Sequence, residues 1–156
     1  IVEQQLVTDY IKSRTENLVE SLQISKSYTQ KAANLVHLKS DISGKLKQNV
    51  SELDVINALH PTSAVCGMPL ESARNFILEN ENYNRKYYAG FLGEMNIDLL
   101  TFKLQKTDLF VNLRCMKIED KIANLYIGCG ITEDSNPVKE WYETEMKIQT
   151  LMKVII

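Results

Sequence analysis

The sequence predicts an α+β fold in which helices pack on a mainly antiparallel sheet. Both ends of the chain carry apolar residues three and four positions apart, as in amphipathic helices, whereas the middle contains β-rich stretches bounded by turns. The 156 residues are 44% hydrophobic and 24% charged, which is enough apolar material for a single core. With six glycines and three prolines, the composition excludes a collagen-like or low-complexity chain and argues against disorder.

The first part of the chain contains two predicted helices with a strand between them. Apolar side chains at helical spacing predict an amphipathic helix over residues 2–22. The pattern then changes to alternation, which predicts an extended strand over residues 33–46 that ends near Gly44. Ser51, followed by an apolar run to Leu59, predicts a short capped helix.

Prolines and small residues organise the centre of the chain. Pro61 ends the preceding helix, and residues 61–69 are expected to form a loop. Pro69 then begins another helix. Small and aromatic residues crowd together over residues 87–93, which predicts a tightly packed strand.

The last third of the chain predicts a hairpin and a long helix. The β-rich runs 108–118 and 121–131 are joined by an acidic turn at Glu119 and Asp120. Asn136 is a suitable N-cap, and Pro137 follows at the first helical position, so the final helix is expected to start there and run to the end.

Charge and cysteine usage exclude several classes of partner. The 18 basic and 20 acidic residues are evenly spread, and without a basic stripe we expect neither a nucleic acid nor a membrane as partner. The longest uncharged stretch contains Pro61 and Pro69 and cannot span a bilayer. The cysteines are odd in number and widely spaced, so reduced thiols in the cytoplasm are expected; they are Cys66, Cys115 and Cys129.

The final helix carries charged residues beside its apolar face. At 100° per residue, Glu140, Glu143 and Lys147 share one stripe. One interpretation is a solvated edge with a Glu143–Lys147 pair that contributes about 0.2–0.5 kcal/mol. The other is a cation site, because carboxylates turned toward a core need a compensating charge. The expected core face beside this stripe comprises Trp141, Ile148, Leu151, Met152 and Ile155.

Glu3 repeats this pattern in the first helix, where it shares the face of Leu6 and Val7. Alone, it would be an N-terminal acid that the helix dipole favours. Together with Glu140 and Glu143 it would make an all-oxygen site suited to Mg²⁺.

Two further features could bind an anion. Alternation places Arg114 on one strand face with Asn112 and Met116. A strand arginine is usually exposed or paired with a carboxylate, but its planar fork is also a clamp for a substrate carboxylate. The Gly-Cys-Gly sequence at 128–130 marks a turn or bulge, or brings backbone N–H groups close to an anion. It is not a Rossmann or Walker loop, since GxGxxG and GK[ST] are absent.

Five stretches of the chain together resemble the chorismate-utilising enzymes, which include anthranilate synthase component I, aminodeoxychorismate synthase, salicylate synthase and isochorismate synthase. They occur in the order and at the spacing of that family and cover essentially the whole chain. The resemblance implies that residues 1–156 are the C-terminal portion of a single chorismate-binding domain. The stretches are LHPTSAVCG (59–67), YYAGFLG (87–93), VNLR (111–114), YIGCGI (126–131), and DSNP through EWYETEMK (134–147).

The resemblance implies a role for each candidate residue. Glu143 matches the glutamate that binds Mg²⁺, with Glu140 assisting one turn earlier, and Glu3 matches a metal ligand from the preceding helix. Arg114 and the backbone of Gly128 are implied to hold one carboxylate of chorismate.

Four more residues are implied to lie around the substrate. Lys147 would lie beside the bound carboxylate, and Tyr88 matches an aromatic lining position. Relatives that use ammonia or expel pyruvate generally carry threonine at the position of Ala64, whereas isochorismate synthases carry alanine followed by an aliphatic residue, here Val65. The resemblance therefore favours an isochorismate synthase, in which water adds at C2 of chorismate as the C4 hydroxyl leaves.

The family's lysine base and glutamate acid would both lie upstream of residue 1. We therefore expect this segment to be inactive alone, and its exposed apolar surface to promote self-association. Two alternatives stay open: amination of chorismate, as in anthranilate or aminodeoxychorismate synthase, and a non-catalytic domain whose acidic stripe binds a partner. The residues do not distinguish menaquinone from siderophore biosynthesis.

Overall fold

The computed structural model describes residues 2–32, 35–97, 100–101 and 106–155. The chain divides into two compact units, Ile1–Leu78 and Glu79–Ile156. Both combine helices with small antiparallel sheets, as the α+β prediction requires. Within the described ranges, no helix is both long enough and apolar enough to cross a membrane.

The first unit contains four helices and two two-stranded antiparallel sheets in its described residues. Strand β1 pairs with β4, and β2 pairs with β3. The elements are α1 (Val2–Thr15), β1 (Val19–Ile24), β2 (Tyr28–Ala32), β3 (Leu35–Lys39), β4 (Ile42–Leu46), α2 (Glu52–Leu59), α3 (Ser63–Cys66) and α4 (Leu70–Asn80).

Helix α1 packs against α2 and the loop that follows it. Tyr10 is buried, and its hydroxyl donates a hydrogen bond to the Pro61 carbonyl at 3.1 Å. The Arg14 side chain donates from Nε to the Ala58 carbonyl at 2.9 Å. These bonds fix α1 against the segment that carries the His-Pro-Thr-Ser-Ala-Val sequence.

Two predicted boundaries in the first unit were wrong. The helix predicted over residues 2–22 ends at Thr15, because Val19 and Leu22 belong to β1, which pairs with β4. Apolar spacing alone could not separate the end of a helix from the start of a strand that is bonded 20 or more residues away. The strand predicted over residues 33–46 is divided into β3, which pairs with β2, and β4, which pairs with β1; residues 40–41 between them belong to neither strand. Ala33 lies outside the described residues.

The predicted short helix and its cap are confirmed. Ser51 accepts a hydrogen bond from the Asp54 backbone, and the Asp54 carboxylate accepts one from the Ser51 backbone, which forms a capping box for α2. The helix ends at Leu59, as Pro61 predicts. The following segment is not entirely loop, since it contains the single helical turn α3. Helix α4 follows Pro69 as expected.

The second unit is built from two hairpin-like sheets and one long helix. Strand β5 pairs with β6, and β7 pairs with β8, both antiparallel. The described elements are β5 (Phe91–Glu94), β6 (Asp108–Val111), β7 (Cys115–Glu119), β8 (Ile122–Tyr126) and α5 (Pro137–Ile155).

The hairpin of β7 and β8 confirms the predicted pairing, with its turn one residue later than expected. Glu119 pairs with Ile122, so Asp120 and Lys121 are the two central turn residues. Their φ angles are 50° and 66°, as in the type I′ turns that suit the twist of a two-residue hairpin.

Two strand predictions in this unit were wrong. Residues 86–89 form a turn, closed by a hydrogen bond from the Gly90 N–H to the Tyr87 carbonyl, and the strand begins only at Phe91. The run 108–118 is broken after Val111, where the Leu113 N–H donates back to the Val111 carbonyl and tightens the chain. Alternation therefore does not continue to Arg114, whose φ is 47°.

Helix α5 begins as predicted, but a different face of it is covered. The Asn136 side chain accepts hydrogen bonds from the N–H groups of Val138 and Lys139, which confirms the N-cap. Trp141 is 65% exposed, and Met152 and Ile155 are also exposed, so the predicted core face was wrong for these three. The half-buried stripe is instead Glu140, Thr144, Lys147, Ile148 and Leu151. The polar members of this stripe face the loop after β8, where the Lys147 side chain donates a hydrogen bond to a backbone carbonyl.

Candidate functional site

Lys147 links helix α5 to the loop after β8. Its ammonium donates a hydrogen bond to the Gly128 carbonyl at 3.1 Å and pairs with Glu143 at 2.5 Å, one turn earlier on the same helix. The Lys147 side chain is 18% exposed, whereas that of Glu143 is 52% exposed. The amine is therefore held in place, and the carboxylate is open to solvent on one side.

Tyr88 lies in the turn before β5 and packs against the same loop after β8. It is buried, with 9% of its surface exposed, and its ring stacks on Tyr126 at a centroid distance of 5.6 Å. A Cβ atom at Gly128 would lie 2.5 Å from the Tyr88 hydroxyl oxygen, closer than any van der Waals contact allows. The close approach of this phenol therefore requires glycine at position 128. Burial raises the pKa of Tyr88, so the hydroxyl stays protonated at neutral pH.

Arg114 lies at the open end of the β7–β8 hairpin. Because Cys115 pairs with Tyr126, the residue before Cys115 and the loop after Tyr126 emerge at the same end. The Arg114 side chain is half-buried, and it makes no hydrogen bond or ion pair with another described residue. A partly desolvated guanidinium without a protein partner is suited to bind an anion.

The neighbouring Asn112 fixes the backbone just before Arg114. Its side-chain amide donates to the Tyr87 carbonyl at 2.9 Å, and its backbone exchanges hydrogen bonds with Ala89 and Gly90. The turn that carries Tyr88 and the break that carries Arg114 are thus tied together.

Cys129 and Glu140 form a second contact between the loop and α5. Burial raises the pKa of the Cys129 thiol, and the nearby Glu140 carboxylate raises it further. A thiol held neutral in this way is a weak nucleophile. Cys129 therefore has the properties of a packing residue.

The carboxylates of Glu140 and Glu143 are the candidate metal ligands of the second unit. They lie one turn apart on α5, a spacing that brings two side chains side by side. In the described part of the chain, no three Asp, Glu, His or Cys side chains are grouped to hold a metal ion. Two carboxylates nevertheless fit Mg²⁺, which keeps several waters and commonly takes one or two protein carboxylates plus substrate oxygens.

The remaining predicted site residues belong to the first unit. Glu3 is exposed in the first turn of α1. Ala64 is exposed and Val65 half-buried within α3. The site is therefore described in two parts: these three residues, and the cluster of Tyr88, Arg114, Gly128, Glu140, Glu143 and Lys147.

Sequence patterns did not indicate the residues that support Tyr88. Glu81 and Arg85 form a two-pronged ion pair, and the Arg85 guanidinium lies over the Tyr88 ring at 5.6 Å. The sequence signal that could have indicated this pair is the four-residue spacing of Glu81 and Arg85, with Arg85 three positions before Tyr88. Helical periodicity gave no reason to consider it, because residues 81–85 form neither a helix nor a strand.

Comparison with known proteins establishes the family. The family model described as "Chorismate binding enzyme" matches residues 1–156, and the chain belongs to that family. The chain is 34% identical over 152 residues to the chloroplastic isochorismate synthase of Catharanthus roseus, covering 96% of this chain. It is 33% identical over 153 residues to isochorismate synthase MenF of Pasteurella multocida, covering 98% of this chain.

The fold also matches a solved structure. The menaquinone-specific isochorismate synthase MenF of Escherichia coli superposes with a TM-score of 0.85 at 30% identity, covering 99% of this chain and 34% of that one. The chain spans 25% of the length of the Catharanthus roseus protein and 35% of the Pasteurella multocida protein. The predicted resemblance and the anthranilate synthase component I-like fold class are thereby confirmed.

Proposed function

We propose that this chain is part of an isochorismate synthase, which converts chorismate to isochorismate. The observation that carries the proposal is the pair of cationic side chains at the open end of the β7–β8 hairpin. Arg114 is half-buried without a described protein partner, and Lys147 is held on the carbonyl of Gly128 in the loop that leaves the same end. Such a pair suits a substrate that presents a carboxylate, as chorismate does.

Each residue of the cluster has a distinct proposed task. The Arg114 fork binds a carboxylate in two places, while the Lys147 ammonium adds a fixed positive charge beside it. Tyr88 provides a flat, partly apolar wall whose hydroxyl remains neutral. These residues bind and orient the ring but move no proton of the reaction.

Glu140 and Glu143 are the proposed Mg²⁺ ligands of this unit, with Glu3 as the ligand from the first helix. When bound, Mg²⁺ would neutralise the second carboxylate of chorismate. Glu143 supports this assignment because its carboxylate is half-exposed while its partner Lys147 is largely buried, so one side of the carboxylate stays open to an ion. Mg²⁺ dependence remains a proposal that chelation tests directly.

Ala64 favours isomerisation over amination. A methyl group cannot accept a hydrogen bond from an incoming ammonia, whereas the hydroxyl oxygen of the threonine in aminating relatives can. The resemblance implies that the general base and the general acid of the family have no counterpart in this segment. We therefore expect the 156 residues alone to show no turnover. None of the three cysteines, all within the described residues, is joined in a disulfide, which agrees with the proposed cytoplasmic location.

The test uses the complete gene product with chorismate and Mg²⁺, and identifies the product by chromatography with ammonium absent and present. We expect isochorismate in both cases and loss of activity on chelation. An aminated product would assign the protein to the anthranilate or aminodeoxychorismate synthases instead. Absence of any conversion would contradict the proposal.

Arg114→Gln tests the proposed carboxylate clamp. Charge-assisted hydrogen bonds contribute about 1.5–3 kcal/mol, so the KM for chorismate should rise about 10- to 150-fold. Lys121→Gln is the matched control, because it removes one positive charge at the other end of the same hairpin. Equal effects of the two substitutions would show that Arg114 acts only through net charge.

A further inference from the structure

The Glu81–Arg85 pair is the most enclosed ion pair of the described residues. Arg85 donates from Nε to Glu81 Oε2 at 2.6 Å and from Nη2 to Oε1, so both prongs of the guanidinium are engaged. The side chains are 25% and 28% exposed, whereas every other described pair has at least one partner above 40%. The hydrogen bonds to Glu81 raise the pKa of Arg85, so the guanidinium stays charged.

The pair holds an aromatic cluster. With its fork fixed by Glu81, the guanidinium of Arg85 lies 5.6 Å from the centroid of the Tyr88 ring, within cation–π range. Tyr88 stacks on Tyr126 of strand β8, and Tyr83 contacts Tyr126 at a centroid distance of 6.0 Å. The Tyr88 ring is thereby fixed in position between the turn and the sheet.

The position of Tyr88 determines the space available to the Gly128 backbone. An ideal Cβ at Gly128 would lie 2.5 Å from the Tyr88 hydroxyl oxygen, so the phenol is seated against this part of the loop. The carbonyl of the same residue accepts the hydrogen bond from Lys147 at 3.1 Å. A displaced Tyr88 would therefore free Gly128 to shift, and the partner of the Lys147 ammonium would move with it.

We propose that Glu81 and Arg85 are positioning residues that fix the Lys147 ammonium through Tyr88 and Gly128. Neither residue needs to touch the substrate. The consequence for chorismate binding rests on the proposed function, but the effect on Lys147 does not.

The first test measures Lys147 directly and requires no substrate. Trace acetylation, followed by mass spectrometry, reports the reactivity of Lys147 relative to Lys26, which is exposed between β1 and β2. Loss of a cation–π contact should raise the relative labelling of Lys147 in Arg85→Gln by about two- to fivefold. Arg85→Lys should give a smaller rise, because the charge remains while the fork is lost.

Glu20→Gln is the control variant, because it breaks an exposed ion pair in the first unit and should leave Lys147 labelling unchanged. Circular dichroism confirms that each variant is folded under the labelling conditions. If Arg85→Gln is unfolded, Arg85→Lys and Glu81→Gln carry the test. Wild-type labelling of Lys147 in the folded variants would overturn the proposal.

The second test is a double-mutant cycle on the complete gene product. Arg85→Gln should raise the KM for chorismate about two- to fivefold with a smaller change in kcat, because only the placement of a binding group is altered. In a Lys147→Met background the same substitution should have no further effect on KM. Additive effects in the cycle would show that Arg85 does not act through Lys147.

The two tests separate failure of this proposal from failure of the proposed function. If the wild-type protein does not convert chorismate, the proposed function is wrong, and the labelling experiment still decides whether Arg85 positions Lys147. If chorismate is converted and labelling of Lys147 is unchanged, the positioning proposal alone is wrong.

Discussion

Replacing Gly128 with alanine tests the packing at the centre of the candidate site. The added Cβ would meet the Tyr88 hydroxyl oxygen at 2.5 Å, roughly 1 Å inside an ordinary van der Waals contact. Tyr88 cannot simply move away, since it is buried, stacked on Tyr126 and covered by Arg85. Overpacking of this kind costs about 1–3 kcal/mol, so the free energy of unfolding should fall by that amount.

Urea unfolding of Gly128→Ala against the wild type measures this loss as a lower midpoint at an unchanged slope. Gly130→Ala is the matched control, two positions along the same loop, where no close contact to an added Cβ atom is found. The clash also predicts a rescue. Adding Tyr88→Phe removes the oxygen that the methyl group meets, so the double variant should be more stable than Gly128→Ala alone. Equal stability of Gly128→Ala and the wild type, or a double variant less stable than the sum of its parts, would refute the argument.

Two further predictions concern stability away from the site. Lys121→Gly should stabilise the β7–β8 hairpin by up to about 1 kcal/mol, because glycine relieves the positive φ of 66°. The matched Lys139→Gly in helix α5 should instead lower the free energy of unfolding by about 1 kcal/mol. If thermal unfolding shows that both substitutions change stability in the same direction, the conformational explanation is contradicted. Hydrogen bonds from Ser51 lower the pKa of Asp54 below its ordinary 3.8. The stabilising effect of the Asp54 carboxylate is therefore present above pH 3.8 and disappears as the pH falls through the lowered pKa. The stability difference between wild type and Asp54→Asn should therefore vanish in acid, and a difference that is constant with pH would show that the capping carboxylate does not act through its charge.

Local signals in the sequence predicted the elements whose ends are determined by neighbouring residues. The Ser51 and Asn136 caps depend on hydrogen bonds within three positions, and the end of α2 before Pro61 depends on the ring of that proline. The structure confirms all three. Helix α1 was extended too far because Val19 gains its partner only from β4, on the other side of an intervening hairpin. Short-range periodicity contains no information about that pairing.

The candidate site could be predicted from the sequence to about the same extent as the fold. Two residues of the cluster, Glu143 and Lys147, follow from helical spacing, and their ion pair is confirmed. The contact of Lys147 with Gly128, and of Tyr88 with the same glycine, joins residues 19 and 40 positions apart. Resemblance to the family named these residues, but not the Glu81–Arg85 pair behind them. The prediction that Arg114 lies on a strand face was wrong, because its backbone adopts a left-handed conformation after a tight turn and is not part of a strand.

The fixed position of Lys147 has a consequence for the thermodynamics of binding. A free lysine side chain holds about 2 kcal/mol of rotamer entropy, which a ligand must remove when it recruits the amine. Here the hydrogen bond to Gly128 and the pair with Glu143 restrict those rotamers before any ligand arrives. Ordering of this side chain is thus completed during folding, and calorimetry should show a correspondingly smaller entropic penalty on anion binding than a mobile surface lysine would give.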